Sequence, residues 1–199
     1  MQASIRPYEP RDLDALYDIC VRTAADGDDL TDAIDDPLLP GHVYAAPYGV
    51  LEPGMAFVIE DDEGVGGYVV GTRDTTAFTE RCEVEWLPAL RARYPAGSGP
   101  RDADRRYIAL IHDVPRQDAA IVADYPAHLH IDLLPRVQGR GLGRALIERF
   151  NAAAAAGGAT GVHLGMSATN DRALAFYRRV GFETLRTDPT SLVLGLRLG

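Results

Sequence analysis

HLHIDLLPRVQGRGLGRALIERF, residues His128 to Phe150, decides the fold. His128 to Leu134 alternates like a strand, Pro135 ends it, and Gln138-Gly139-Arg140-Gly141-Leu142-Gly143 leads into a run with helical periodicity. Glycines at alternate positions leave little side chain in the way, so successive backbone N–H groups can turn toward one anion where the helix begins. A pyrophosphate fits that description. In the helix Leu142, Ala145, Leu146, Phe150 and Ala153 share a face, and Gly157 and Gly158 end it. Arg140 and Arg144 put positive charge at the helix N-terminus, against the dipole, which a bound polyanion explains better than helix stability does.

Two familiar phosphate loops do not fit. A P-loop needs GxxxxGK followed by Ser or Thr, and the chain contains no lysine. A dinucleotide fingerprint needs GxGxxG and an acid about 20 residues on; here the spacing is GxGxG, and Gly161 to Gly165 supplies no acid. The string Q/R-x-x-G-x-G/A after a strand ending in proline instead resembles motif A of the GCN5-related N-acetyltransferase (GNAT) superfamily, with Gln138, Gly141 and Gly143 at the motif positions. That resemblance implies an acetyl-CoA pyrophosphate resting on Gln138, Gly139, Arg140, Gly141, Leu142, Gly143 and Arg144. It also implies a thioester hydrogen-bonded by backbone N–H near Leu133 and Leu134.

Composition narrows the alternatives. The 199 residues, 46% hydrophobic, can bury one sizeable core without a linker-like break, so a single domain over 1–199 is expected. Twenty basic against 29 acidic residues leave a net charge of −9, which argues against nonspecific binding of nucleic acid or an anionic membrane. The absence of lysine excludes Schiff-base lysine chemistry. Cys20 and Cys82 have no metal-ligand spacing and read as reduced and inert. Neither a signal-peptide pattern at Met1 to Pro10 nor an 18-residue apolar run occurs, so a cytoplasmic protein is expected.

Outward from the glycine loop, Ser4 to Tyr8 reads as a first strand, and Pro10-Arg11-Asp12 opens a helix with the stripe Leu13, Leu16, Tyr17, Cys20, Val21 and Ala24. Asp26, Asp28, Asp29, Asp32, Asp35 and Asp36 follow without EF-hand register. They read as a solvated loop or as an acidic wall facing a cationic acceptor. Met55 to Glu60 and Gly66 to Thr72 form a hairpin around Asp61-Asp62-Glu63-Gly64. From about 75 to 125 an insertion carries Phe78, Trp86, Leu87, Leu90 and Tyr94 at helical spacing, then Tyr107, Ile108, Leu110 and Ile111. It is either a lid over the active strand or an extra helical layer. Val162 to Ser167 is a strand, Asn170 to Val180 a short helix, and Phe182 to Arg186 with Ser191 to Arg197 a closing strand pair. This order predicts an α/β (α+β) fold of the GNAT type. Its mixed, mostly antiparallel sheet has a splayed central parallel pair, helices on both faces, and a long helical insertion before the fourth strand.

NDRALAFYRRVGF, Asn170 to Phe182, resembles motif B of the same superfamily, at the right distance from motif A. Asn170 and Tyr177 lie close to two helical turns apart and can face one ligand. By the family's pattern Asn170, Ala173, Phe176 and Tyr177 contact the cofactor, and Tyr177 protonates the departing thiolate. Without function, Asn170 reads as an N-cap, Gly181 as a helix end and Tyr177 as core. On the strand, the period of two puts His128, His130, Asp132 and Leu134 on one face. His130 and Asp132 are candidates for the base that deprotonates an amine acceptor. A two-histidine, one-carboxylate metal site and plain structural hydrogen bonding are the other readings of this face, and no metal is expected.

A finer resemblance lies in AFVIEDDEGVGGYVVGT, Ala56 to Thr72, continuing through Phe78, Cys82, Trp86, Pro88 and Tyr94. It looks like the acetyltransferase-like C-terminal domain of eukaryotic O-GlcNAcase, and covers most of the chain from about Met55 onward. The eukaryotic domain departs from motif A, whereas this sequence keeps Gln138 through Gly143. A free-standing bacterial relative able to bind acetyl-CoA is therefore implied, with an unidentified amine acceptor and no sugar hydrolysis.

Overall fold

The alternating pattern at His128 does become a strand, and it lies at the centre of the sheet. The computed structural model describes residues 3–199. Strands β1 (Ser4–Pro7), β2 (Phe57–Asp61), β3 (Gly64–Thr72), β4 (Ala127–Leu133), β5 (Gly161–Ser167), β6 (Glu183–Thr187) and β7 (Ser191–Arg197) form one sheet in the order β1-β2-β3-β4-β5-β7-β6. Neighbours run antiparallel except β4 and β5. That parallel pair is joined at Ala127–Val162 and His128–His163 and at no later position among the described residues. From there on, the two strands are splayed.

Helices cover both faces. On one, α8 (Leu142–Ala156) packs Leu146, Ile147, Phe150 and Ala154 under Val69, Leu129, Val162 and Leu164. Ile147, absent from the expected stripe, is as buried as its neighbours. On the other face α1 (Leu13–Val21) and α3 (Ala46–Leu51) pack Leu16, Ile19, Tyr48 and Leu51 on Val58, Tyr68 and Val70. A single 3-10 turn, Pro10–Asp12, precedes α1. There Arg6 holds the buried Asp12 through two hydrogen bonds of 2.7 and 2.8 Å while also gripping Glu60. This guanidinium keeps the Asp12 carboxyl below its ordinary range.

The insertion is helical throughout its ordered elements: α4 (Thr75–Glu85), α5 (Leu87–Arg93), α6 (Asp102–His112) and α7 (Ala119–Asp124). Leu87, Leu90, Tyr94, Tyr107, Ile108 and Ile111 bury one another against Val21, Ile34 and Leu39, the last at the start of α2 (Leu39–Tyr44). Helices α2 and α3 have no counterpart in the sequence reading. Each is six residues long and carries proline in its first turn, so neither spans enough turns to show a period.

The β3–β4 register can be tested at Gly71, which faces Leu129. A Cβ there would collide with the carbonyl oxygen of His128 and lie 2.7 Å from the Phe150 ring. Gly71→Val should cost about 3 kcal/mol by overpacking, read as a fall in the urea midpoint at constant slope. An unchanged midpoint would contradict this register.

Candidate active site

The site grows from the place where β4 and β5 part. Leu134 donates its N–H to Gly66 O at 2.8 Å, which makes Gly67–Leu133 a non-hydrogen-bonded pair of the antiparallel ladder. The N–H of Leu133 therefore points away from β3 and into the gap, and that of Ile131 does the same. This corrects the expectation for Leu134: its amide is committed to Gly66 and its side chain is buried beside Tyr68 and Val70.

Beyond β4 the chain makes a 3-10 turn, Pro135–Val137, and enters the glycine loop. Gly139 and Gly141 both adopt left-handed backbone, φ 72° and 78°, and nothing lies within 4 Å of where a Cβ would project. Gly141 is the N-cap of α8, so the first-turn amides from Leu142 to Arg144 lack acceptors within the helix and face the loop's outer side. Gly143 is small for another reason. A Cβ there would sit 3.3 Å from the Phe176 ring, where α9 (Asp171–Arg179) crosses α8. Gln138 donates from Nε2 to Leu133 O at 2.7 Å, which ties the loop back to the end of β4. Arg140 is exposed on the loop, and Arg144 reaches Arg179 O at 2.9 Å, bracing α8 against α9.

The N-cap reading of Asn170 holds. Its Oδ1 accepts from the Ala173 N–H as an N-cap, while its Nδ2 donates to Asp26 O at 2.9 Å. The acidic segment after α1 thus meets α9 across the mouth of the gap. About two turns beyond this cap, Phe176 and Tyr177 lie partly buried on the sheet-facing side, the Tyr177 ring between Phe176 and Phe182 at centroid distances of 5.3 and 5.7 Å. The Tyr177 hydroxyl has no hydrogen-bond partner among the described residues, and the side chain lines the main cavity. Burial, reinforced by the charge of Asp132, raises the phenol above its ordinary range, so it stays protonated.

The polar face of β4 looks into the same cavity. Asp132 accepts a 2.6 Å hydrogen bond from Tyr68 OH, and burial raises its carboxyl. Tyr48 OH lies 2.8 Å from His128 Nε2 and 3.1 Å from His130 Nε2. His128 Nδ1 is 2.8 Å from Thr75 Oγ1. With both ring nitrogens of His128 engaged, the three side chains do not form a facial ligand set, and no cluster of three potential metal ligands occurs among the described residues. Burial pulls His130 down to about 4, leaving a neutral imidazole.

The cavity, about 1120 Å³, runs from Ser167 and Tyr177 past Asp132 and His130 to Tyr44, Trp86 and Tyr107. Helices α4 and α6 contribute Phe78, Cys82, Arg106 and Leu110, so the insertion is at once a packed layer and a wall of the cavity. Of the acidic run, Asp26 lines this cavity, whereas Asp36 is bonded to Tyr94 OH. Tyr48, Tyr68, Thr75 and His163 are functional candidates that the sequence did not offer. They belong to no motif: strand register sets Tyr68 opposite Asp132, and the packing of α3 and α4 on the sheet brings Tyr48 and Thr75 to His128.

A splayed parallel pair, a glycine loop at its mouth and an unpartnered tyrosine on the following helix define a GNAT fold. The Acetyltransferase (GNAT) domain family matches residues 106–184, and the chain belongs to that family. The crystal structure of SsHAT superposes with a TM-score of 0.93 at 44% identity, covering 100% of both chains. Protein O-GlcNAcase of Rattus norvegicus is 26% identical over 186 residues, 89% of this chain but 20% of that protein, so the chain spans a fifth of the relative's length. The structure of yncA from Salmonella typhimurium with its cofactor acetyl-CoA shares the fold, with a TM-score of 0.59 at 15% identity over 100% of this chain and 95% of that one. Among the described residues no helix is long and apolar enough to cross a membrane.

Proposed function

We propose that this protein transfers the acetyl group of acetyl-CoA to an amine by direct attack in a ternary complex, and that residues 1–199 act as one catalytic domain. The observation that carries this is the opening of β4 from β5 after two paired positions, with the inward N–H of Leu133 on one side and the glycine loop at its end. Acetyl-CoA would lie along β4, its pyrophosphate on the amides of the loop and the first turn of α8, its carbonyl on the Leu133 amide. Asn170, Ala173 and Phe176 would hold α9 against the pantetheine.

Attack by the amine puts negative charge on the thioester oxygen, which the Leu133 N–H stabilises. Collapse expels the thiolate, and Tyr177 protonates it; a phenol held in its neutral form by burial and by Asp132 is suited to that step. The cavity lining mixes Asp26 and Asp132 with Arg106, Arg116 and aromatic rings. That lining suits an uncharged amine better than a polycation. The free thiols of Cys20 and Cys82 accord with a reducing cytoplasmic setting.

The test is a panel of a lysine peptide, an aminosugar and a polyamine, assayed with acetyl-CoA for released thiol. At least one acceptor should give thiol release that depends on both substrates. Acetyl-CoA binding without release in any arm would make this an acyl-CoA-binding module and overturn the transferase reading.

A further inference from the structure

We infer that His130 Nδ1 is the proton acceptor for the attacking amine, and that Thr75, His128 and Tyr48 are positioning residues that fix its tautomer through one directed chain of hydrogen bonds. This rests on the acetyltransferase reading and assigns the base within it.

The direction of the chain follows from which atoms can donate. Thr75 Oγ1 lies 2.7 Å from Pro126 O, a carbonyl that can only accept, so the single hydroxyl proton of Thr75 is spent there. The 2.8 Å contact between Thr75 Oγ1 and His128 Nδ1 must then be a donation from the imidazole, which makes His128 the Nδ1–H tautomer and leaves Nε2 a bare lone pair. Tyr48 OH, at 2.8 Å, gives its one proton to that lone pair. Only the tyrosine oxygen's lone pairs remain for His130 Nε2 at 3.1 Å, so His130 carries its proton on Nε2. Its Nδ1 is left as a lone pair with no partner among the described residues, on a ring that lines the cavity. Three residues from α3, α4 and β4 thus orient one nitrogen of His130, and the proton order begins at a backbone carbonyl that cannot change its role.

The competing carboxylate is occupied differently. Asp132 accepts from Tyr68 at 2.6 Å and lines the same cavity as Tyr177, whose phenol is kept protonated by burial first and by the Asp132 charge second. The two candidates are thereby separated: Asp132 supports the acid and His130 serves as the base. The other groups around the His130 ring are Tyr44, packed on it at 5.3 Å, and His163, whose Nδ1 is bound to Tyr125 O. Neither supplies a hydrogen bond to Nδ1. The proton count closes: the nitrogen loses one proton to His130 Nδ1 as the N–C bond forms, the C–S bond breaks with one proton passing from Tyr177 to sulfur, and transfer of one proton from imidazolium to phenolate restores the site.

The experiment is 15N-detected tautomer assignment on histidine-labelled wild-type protein, with His130 resonances identified by loss in His130→Gln. His128 should be protonated at Nδ1 and His130 at Nε2. Thr75→Val should scramble both tautomers and lower kcat about 10-fold with the KM for acetyl-CoA unchanged. Thr75→Ser, which keeps the hydroxyl, should restore both properties. Protonation of His130 at Nδ1 in wild-type protein would overturn the inference while leaving the transferase reading intact. The expected tautomers in a protein that transfers acetyl to no acceptor would overturn the transferase reading and the base assignment with it. The wild-type spectrum decides the tautomer even if Thr75→Val fails to fold.

Discussion

Replacing Tyr177 with Phe should lower kcat by about 10²- to 10³-fold, the range a well-placed general acid contributes, while the affinity for acetyl-CoA changes by less than about 3-fold. The two effects separate because of what the hydroxyl does. It makes no hydrogen bond among the described residues, so the folded protein loses none when it is removed. The phenyl ring keeps its packing on Phe176 and Phe182. What disappears is the proton offered to the thiolate. The pH dependence has a definite sign: burial and the Asp132 charge raise the phenol above its ordinary value near 10, so the protonated form extends to higher pH. The wild-type enzyme should accordingly show no alkaline loss of kcat from this group below pH of about 10. Equal turnover by the Phe variant across the pH range would remove Tyr177 from the chemistry.

Gly141→Val should weaken acetyl-CoA binding by at least about 10-fold and leave the rest of the fold in place. The backbone there has φ 78°, and for an L-residue that conformation costs about 1–2 kcal/mol. A β-branched residue is worse still, since its side chain is hindered beside the carbonyl. Because nothing lies within 4 Å of the new Cβ, no core contact is broken. The strain is relieved instead by turning the loop, which takes the first-turn amides of α8 out of register with the pyrophosphate. Dissociation constants for the two proteins, with far-UV circular dichroism as a control on folding, read this directly. Equal affinities would mean that the diphosphate is held elsewhere.

These two residues also show why part of the site was legible in the sequence. Gly141 and Tyr177 belong to local patterns: the glycine spacing precedes its own helix, and the tyrosine sits two turns from its own N-cap. Backbone chemistry of that kind is written in neighbouring residues. The mixed sheet with its central parallel pair followed from the order of the elements and the turn chemistry of the hairpin, and the insertion was legible as helical from the spacing of Leu87, Leu90 and Tyr94. The residues that tune the site were not legible, since Tyr48, Tyr68 and Thr75 reach β4 from α3, β3 and α4, across up to 80 residues of chain. Nor could the sequence decide between the Leu133 and Leu134 amides. That choice depends on which pairs of the β3–β4 ladder are hydrogen-bonded, and a shift of one residue would reverse it. The acidic run was ambiguous for a similar reason. Asp26 reaches the cavity and Asp36 is held by Tyr94 because of where the loop after α1 lands.

The central claim is that the opening between β4 and β5 is a binding cleft for acetyl-CoA, and isothermal titration of the wild-type protein with acetyl-CoA tests it most directly. The account predicts saturable binding at one site per chain, a matching rise in melting temperature by mass action, and loss of most of that affinity in Gly141→Val. Titration at millimolar acetyl-CoA with no heat and no thermal shift would contradict it.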